Sequence, residues 1–350
     1  MDNTQKSFLS KSGCVCFKSF PNIAIVKYWG KTNIQIPANP SISFTLQNSF
    51  TQTAIEYTYG SNSGNIDFEF LFEGEKQLNF ERKLRVFFER VMEFLPWLRY
   101  YSLKINSSNN FPHSSGIASS ASSYSALALG LAKIHLEVTG IELSNHNISQ
   151  LARLGSGSAC RSAYGGWNLW GVSDFKHSSN LYAIQINHIT HPLFKHINDA
   201  ILVVNNQQKK ISSTVGHQLM DSHPYREGRI QQANNNISQL SGALSNGDWN
   251  KFSEICESEA LSLHGLMMSS TPSYTLLEPN SLSIIQKLRL FREQNNISIC
   301  FTIDAGPNIH VLYPDSDKDI AEEFIEKELK NYCTNNMVIY DKIGKGPIEI

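Results

Sequence analysis

The spacing of apolar positions changes several times along the chain, and each change marks an element. In "CVCFKSF" apolar and polar residues alternate, the two-residue period of a half-buried strand. Pro21 and Asn22 mark a turn before the apolar run in "NIAIVKYWGK". "SISFTLQNSFTQTAIEYTYG" and "GNIDFEFLFEGE" alternate again and predict antiparallel strands joined by glycine turns. The period then lengthens. Leu84, Phe87, Phe88, Val91, Met92 and Leu95 recur at helical spacing in "FERKLRVFFERVMEFL". "YSLKINSSN" returns to strand, and a helix is predicted from about Ser120 to His135.

From Leu181 on, "LYAIQINHI" and "DAILVVNN" predict strands, "SSTVGHQLM" a short helix, and about Asn234 to Leu266 reads as helical and polar-faced. "SLSIIQKLRLFREQ" and "DIAEEFIEKELKNY" read as helices. "ISICFTIDAGPNIHVLY" reads as strand, break, strand, and "NNMVIYDK" as a last strand. Strands and helices mix without regular βα repetition, which predicts an α+β architecture rather than a doubly wound sheet. "HITHPLF" interrupts the pattern and divides the chain into residues 1–190 and 191–350, leaving open a return of the terminal segments to the first domain.

Composition narrows the function classes. The 350 residues and 41% apolar content support a sizeable core. With 30 basic and 31 acidic residues the formal net charge is -1, which argues against a nucleic-acid surface. No apolar run is long enough to span a membrane, and the N-terminal "MDNTQKSFLSKSG" lacks the apolar core of a secretory signal. The expectation is a cytoplasmic protein without membrane or nucleic-acid partners. Cys14, Cys16, Cys160, Cys256, Cys300 and Cys333 are scattered and read as small buried thiols. His188, His191 and His196 lack the helical spacing and glutamate of a zinc hydrolase.

Three stretches carry candidate chemistry. "NNFPHSSGIASSASSYSALALG" sets Gly116 and six serines (Ser114, Ser115, Ser119, Ser120, Ser122, Ser123) at a helix entrance. Free N–H groups and partial positive charge there can hold a phosphate, or the serines can simply cap the helix. The loop is neither a P-loop nor a dinucleotide fingerprint. "ARLGSGSACRSAYGGW" groups Ser156, Ser158 and Arg161 among glycines, and Arg can grip a carboxylate with two parallel hydrogen bonds. In "FTIDAGPNIHVL", Asp304 leaves an apolar strand either as a reactive carboxylate or as a turn former. Lys27 and Lys31, four apart, share a face only if their segment is helical.

Together these stretches resemble the diphosphomevalonate decarboxylases of the GHMP kinase superfamily. "NIAIVKYWGK" is similar to that family's N-terminal signature, "NNFPHSSGIASSASSYSALALG" to its nucleotide loop, "GSGSACRSAYGGW" and "IDAGPN" to its substrate and catalytic segments, and "SSTVGH" to its second-domain loop. The resemblance runs in order from about Cys14 to Pro314. It implies a GHMP kinase fold, with a ribosomal-S5-like N-terminal nucleotide-binding domain and a ferredoxin-like C-terminal domain. It also implies ATP and Mg²⁺, a homodimer, and conversion of mevalonate 5-diphosphate to isopentenyl diphosphate through phosphorylation at C3.

By that resemblance Asp304, Lys27 and Arg161 are catalytic. Asn22, Tyr28, Lys31, Ser156, Ser158 and Ser212 contact substrate, as does Arg161. Pro112, Ser114, Ser115, Gly116, Ser119, Ser120, Ser122 and Ser213 hold the nucleotide, with Ser120 beside the metal. The sequence departs from the family pattern at Thr32, Asn33, Pro40, His113 and His217. Relatives on the same scaffold leave two other enzymes in view, a mevalonate 5-phosphate decarboxylase and a mevalonate 3-kinase. A catalytically inactive phosphometabolite-binding protein is the non-enzyme alternative. Arg82, Lys83 and Arg85 are candidates for reading the phosphate chain, or a solvated helix face.

Overall fold

The computed structural model describes residues 10–60, 66–112, 117–207 and 211–350. Strand β1 (Gly13–Ser19) buries alternate residues, Val15 and Phe17 among them. β2 (Asn22–Val26) is buried at every position, a short ribbon follows as β3 (Lys31–Asn33) and β4 (Ile36–Pro37), and β5 (Ser41–Thr45) is again buried throughout. Polar serines in β5 therefore face packed structure, not solvent, because both faces of this strand are covered. β6 (Thr51–Tyr59) alternates as its sequence predicts.

One pairing differs from expectation. β7 (Asp67–Phe72) turns back on β8 (Glu75–Lys76), and helix α1 (Leu78–Val91) then carries the chain to β9 (Tyr101–Asn109). β7 and β9 are parallel, with Phe70 opposite Ile105. The long crossover through α1 makes this possible, since parallel neighbours cannot be joined by a tight turn. The first sheet has the order β16-β1-β6-β9-β7-β8, where β16 (Ile348–Glu349) is the returning C-terminus.

Helix α2 (Ser119–Thr139) packs on β1 and β6, followed by α3 (Asn145–Gly155) and the single turn α4 (Ala159–Ser162). α3 was not evident from apolar spacing alone. β10 (Trp167–Trp170) and β11 (Ala183–Gln185) complete a second sheet of order β11-β10-β5-β2. β12 (Ile197–Leu202) opens the second half, and α5 (Ser213–Leu219) is the short helix predicted there. The helical stretch expected from about Asn234 to Leu266 comprises two helices and begins earlier, α6 (Arg226–Asn246) and α7 (Trp249–Met268). Gly247 ends α6 at φ +74°, and the Asp248 side chain caps α7 by accepting from the Lys251 N–H. After α8 (Pro279–Asn295) come β13 (Cys300–Thr302), β14 (Ile309–Pro314), α9 (Lys318–Phe324) and β15 (Val338–Lys342), giving a third sheet ordered β13-β14-β12-β15.

The cores explain why the two halves meet where they do. One core lies between the first sheet and α1–α3. A second joins Ile23, Ile25 and Phe44 of the second sheet to Ile197, Ile201 and Leu312 of the third, with Phe252 and Ile255 of α7. A third covers the other face of the third sheet with α8 and α9. The shared core brings the end of β2 against the end of β13, so Lys27 meets Asp304 across 277 residues of chain.

Candidate active site

Lys27 leaves β2 just past a register shift between Ala24 and Val26. Its side chain is only 2% exposed, and its Nζ lies 2.7 Å from Oδ1 of Asp304, whose side chain is 25% exposed. Asp304 thus meets a buried cation while a quarter of its side chain stays exposed. Its carbonyl is held as well, by the Gly306 N–H at 2.6 Å and by His264 Nε2 at 3.1 Å. Lys27 and Lys31 do not share a helical face. The segment turns through Gly30 at φ +94°, and Lys31 opens β3.

Arg161, in the turn α4, is buried at 2% exposure. Its Nε donates to Asn22 Oδ1 at 3.0 Å, and its Nη1 donates to the Ser41 hydroxyl. Asn22 is itself fixed by donating to the Ser158 carbonyl (3.0 Å) and the Ser162 hydroxyl (2.8 Å). Burial pulls the guanidinium below its ordinary pKa, while Cys160, Asp304 and Tyr28 act in the opposite direction. Arg161 is thereby in electrostatic reach of Asp304. The sequence singled out Asn22, Ser158 and Arg161 but missed Ser41, which follows the Pro40 departure and is fully buried.

Tyr28 meets Trp170 edge-on, with ring centroids 4.7 Å apart, and lies tilted against His217 at 4.4 Å. Its hydroxyl is buried and has no hydrogen-bond partner among the described residues. A Cβ at Gly157 would stand 2.7 Å from that hydroxyl, so only glycine lets the α3–α4 turn approach so closely. Lys31 is half-buried, and burial followed by the charge of Arg90 lowers its pKa. An ammonium so placed gains by meeting an anion.

Ala118, at φ +36°, precedes helix α2, and its methyl side chain makes no cap bond to the first turn. Ser120 is exposed, and its hydroxyl is 3.3 Å from that of Ser156. Ser119 lies beside it in the first turn, and Pro112 is half-buried at the loop entrance. Ser122 stands apart, fully buried and bonded to Thr51 (2.6 Å) and the Ser119 carbonyl (3.1 Å). Its hydroxyl serves packing between α2 and β6. Ser114, Ser115 and Gly116, with His113, lie outside the described residues.

Ser212 caps α5 by accepting from the Val215 N–H (3.3 Å), and Ser213 begins the helix. His217 docks this helix on the Lys27–Lys31 segment. Its ring lies 4.6 Å from that of Trp29 and its Nδ1 accepts the Gly30 N–H at 2.9 Å. Arg82, Lys83 and Arg85 are exposed along α1. Lys83 lies over Phe80, and Arg85 lies over Phe68 and pairs with Glu81. They form a solvated face. No group of three or more His, Cys, Asp or Glu among the described residues is arranged to hold a metal ion, and no helix there is long and apolar enough to cross a membrane.

Family models decide the relationship. Residues 19–181 match the diphosphomevalonate decarboxylase-like N-terminal domain, and residues 199–349 match the mevalonate 5-diphosphate decarboxylase C-terminal domain. A diphosphomevalonate decarboxylase from Eremothecium gossypii is 32% identical over 83% of this chain and 75% of its own. The chain belongs to the diphosphomevalonate decarboxylase family. Its fold agrees with this membership. The mevalonate diphosphate decarboxylase of Staphylococcus aureus superposes with TM-score 0.83 at 28% identity, covering 97% of this chain and 98% of that one. A structure of MDDEF in complex with MVAPP, AMPPCP and magnesium superposes with TM-score 0.81 at 27% identity, covering 97% and 99%. The decarboxylase's α+β architecture is therefore the two-part fold of that family.

Proposed function

We propose that this enzyme decarboxylates mevalonate 5-diphosphate with ATP, and that Asp304, Lys27 and Arg161 carry the chemistry. The observation that supports this most is the Lys27–Asp304 pair, one partner buried and the other part-open. Asp304 orients the C3 hydroxyl and accepts its proton as the alcohol oxygen attacks the γ-phosphorus of ATP and ADP departs. Lys27 keeps the carboxylate ionised and balances charge that develops beside it. A tertiary alcohol is a poor nucleophile, so positioning carries much of the rate.

The C3–O bond then breaks, phosphate leaves with the electron pair, and positive charge develops at C3. The bond between C2 and the carboxyl carbon breaks next. Its electrons form the new double bond, releasing CO₂. Arg161, held by Asn22 and Ser41, aligns the carboxylate for that departure. The start of α2, with Ser119 and Ser120, takes the nucleotide phosphates, and Ser213 approaches them from the second half. Tyr28, Lys31, Ser156, Ser158 and Ser212 complete the substrate side.

The donor set suits a Mg²⁺ carried mainly by nucleotide phosphates, with the exposed Ser120 hydroxyl as the protein oxygen. When bound, the ion would neutralise phosphate charge. We place the domain division near residue 190, supported by separate family matches on either side. β16 crosses that division to pair with β1. A cytoplasmic homodimer is the expected state. Six free cysteines agree with a reducing compartment, and light scattering of the purified chain tests the dimer.

Product analysis with mevalonate, its 5-phosphate and its 5-diphosphate side by side tests the reaction. ADP and CO₂ released together from the diphosphate alone is the expected result. ADP without CO₂ identifies a 3-kinase, CO₂ from the monophosphate the shorter substrate, and neither product an inactive binder.

A further inference from the structure

Just past the bulge in β2, the N–H and C=O of Lys27 lie beyond the strand's ladder. A buried ion pair takes them up. Glu259 of α7 accepts the Lys27 N–H at 2.8 Å, and Arg229 of α6 donates to the Lys27 carbonyl at 2.9 Å. Asn39 donates to the same carbonyl at 2.9 Å. Arg229 and Glu259 are joined by two parallel bonds of 2.7 and 2.6 Å, with side chains 1% and 0% exposed. Asn236 donates to Glu259 at 2.6 Å, so four donors surround this carboxylate.

Burying such a pair costs more than packing apolar residues of similar volume, so it is a poor device for stability alone. Its geometry serves another end. It reaches both main-chain groups of Lys27, whose ammonium meets Asp304. The same helix also holds the other partner, since His264, five residues after Glu259 on α7, contacts the Asp304 carbonyl.

We propose that Arg229 and Glu259 are positioning residues. They clamp the main chain of Lys27, and α7 thereby sets the spacing between the Lys27 ammonium and the Asp304 carboxylate. This rests on the assignment of Lys27 and Asp304 to the reaction. Neither Arg229 nor Glu259 touches substrate. Loss of the clamp lets the Lys27 stem drift, and displacement on the order of 1 Å at a reacting pair costs up to about 100-fold in rate.

The test is a double variant, Arg229→Met with Glu259→Leu, which removes both charges and leaves none unpaired. Expected are a thermal midpoint near that of the parent, kcat lowered about 30-fold, and KM for ATP and for mevalonate 5-diphosphate within about threefold. The acid limb of kcat should move to higher pH, in the direction of Lys27→Met. Arg229→Lys keeps the charge balance but cannot serve Glu259 and the Lys27 carbonyl with one planar fork. It should show a smaller loss with the same limb movement, and covers the case of a double variant that does not fold. Glu259→Gln, which retains an acceptor for the Lys27 N–H, should recover part of the rate.

Glu257→Gln is the comparison. Glu257, also on α7, pairs with Arg289 and Arg292 of α8, and none of the three has a role in the reaction proposed above. An equal loss there, with the same limb movement, overturns the proposal. So does an unchanged kcat and pH profile in Arg229→Lys. Loss in Lys27→Met with none in the Arg229 and Glu259 variants overturns the positioning role alone. Full turnover in Lys27→Met overturns the assignment of Lys27 and this role with it.

Discussion

Replacing Lys27 by Met keeps most of the apolar stem and removes the ammonium 2.7 Å from Asp304. The size of the effect follows from the geometry. Unit charges about 4 Å apart interact by ~4 kcal/mol at an effective dielectric constant of about 20. Asp304 is a quarter exposed, so water screens part of this, and about 2–3 kcal/mol remains. Each ~1.4 kcal/mol is one pH unit or a factor of ten. Lys27→Met should therefore move the acid limb of kcat up by about 1.5–2 pH units and lose rate most on the acid side of neutrality. With ATP on the start of α2, as proposed, its affinity should change little. The assay is kcat against pH from coupled ADP and CO₂ release, with titration of a non-hydrolysable nucleotide on the same samples. A fall in kcat with the acid limb unmoved would refute the electrostatic argument, because Lys27 would then act by some route other than the carboxylate. Nucleotide affinity falling as far as the rate would move Lys27 to the phosphate side of the cleft.

Arg161→Lys should lower kcat by about 10- to 100-fold, because a point charge cannot hold Asn22, Ser41 and a carboxylate in one plane. Turnover within threefold of the parent rejects the carboxylate clamp. Ser120→Ala should slow single-turnover ADP formation more than it weakens substrate binding, and an unchanged burst refutes its place beside the transferring phosphoryl. His217 offers a stability test. Burial, then the charge of Lys31, lowers its pKa from 6.5 to about 3. Between those values the unfolded chain binds the extra proton, so this stabilisation is complete above about pH 6.5 and is lost as pH falls toward 3, at most on the order of 4–5 kcal/mol. His217→Met should flatten the fall in urea midpoint between pH 7 and pH 4, and an unchanged slope would refute the linkage.

Local pattern alone determined much of this protein. The Pro21–Asn22 turn, the strands around Val15, Ile105 and Ile201, the helices from Ser119 and near Ser281, and the "IDAGPN" break all follow from periodicity and turn chemistry, which act over a few residues. Asp304 and Arg161 were visible because their polar groups stand in otherwise apolar or glycine-rich stretches. The parallel pairing of β7 with β9 was not visible, since strand direction depends on where a crossover returns. Nor was the burial of Ser122, whose serine looks like its loop neighbours until Thr51 meets it from another strand.

Glu259 left only a faint mark, a charge on a stretch that read as polar-faced helix, and Arg229 lay before that stretch. A glutamate between apolar positions in "SEALSLHGL" was the available signal. Their role exists only once the second and third sheets share a core. Contacts between residues hundreds of positions apart depend on how whole faces pack, and no local period encodes that. The sequence by itself determined which residues were chemically able to act. The tertiary structure decided that Lys27 and Asp304 meet as a pair, because burial against a common core is what brings an ammonium and a carboxylate to 2.7 Å.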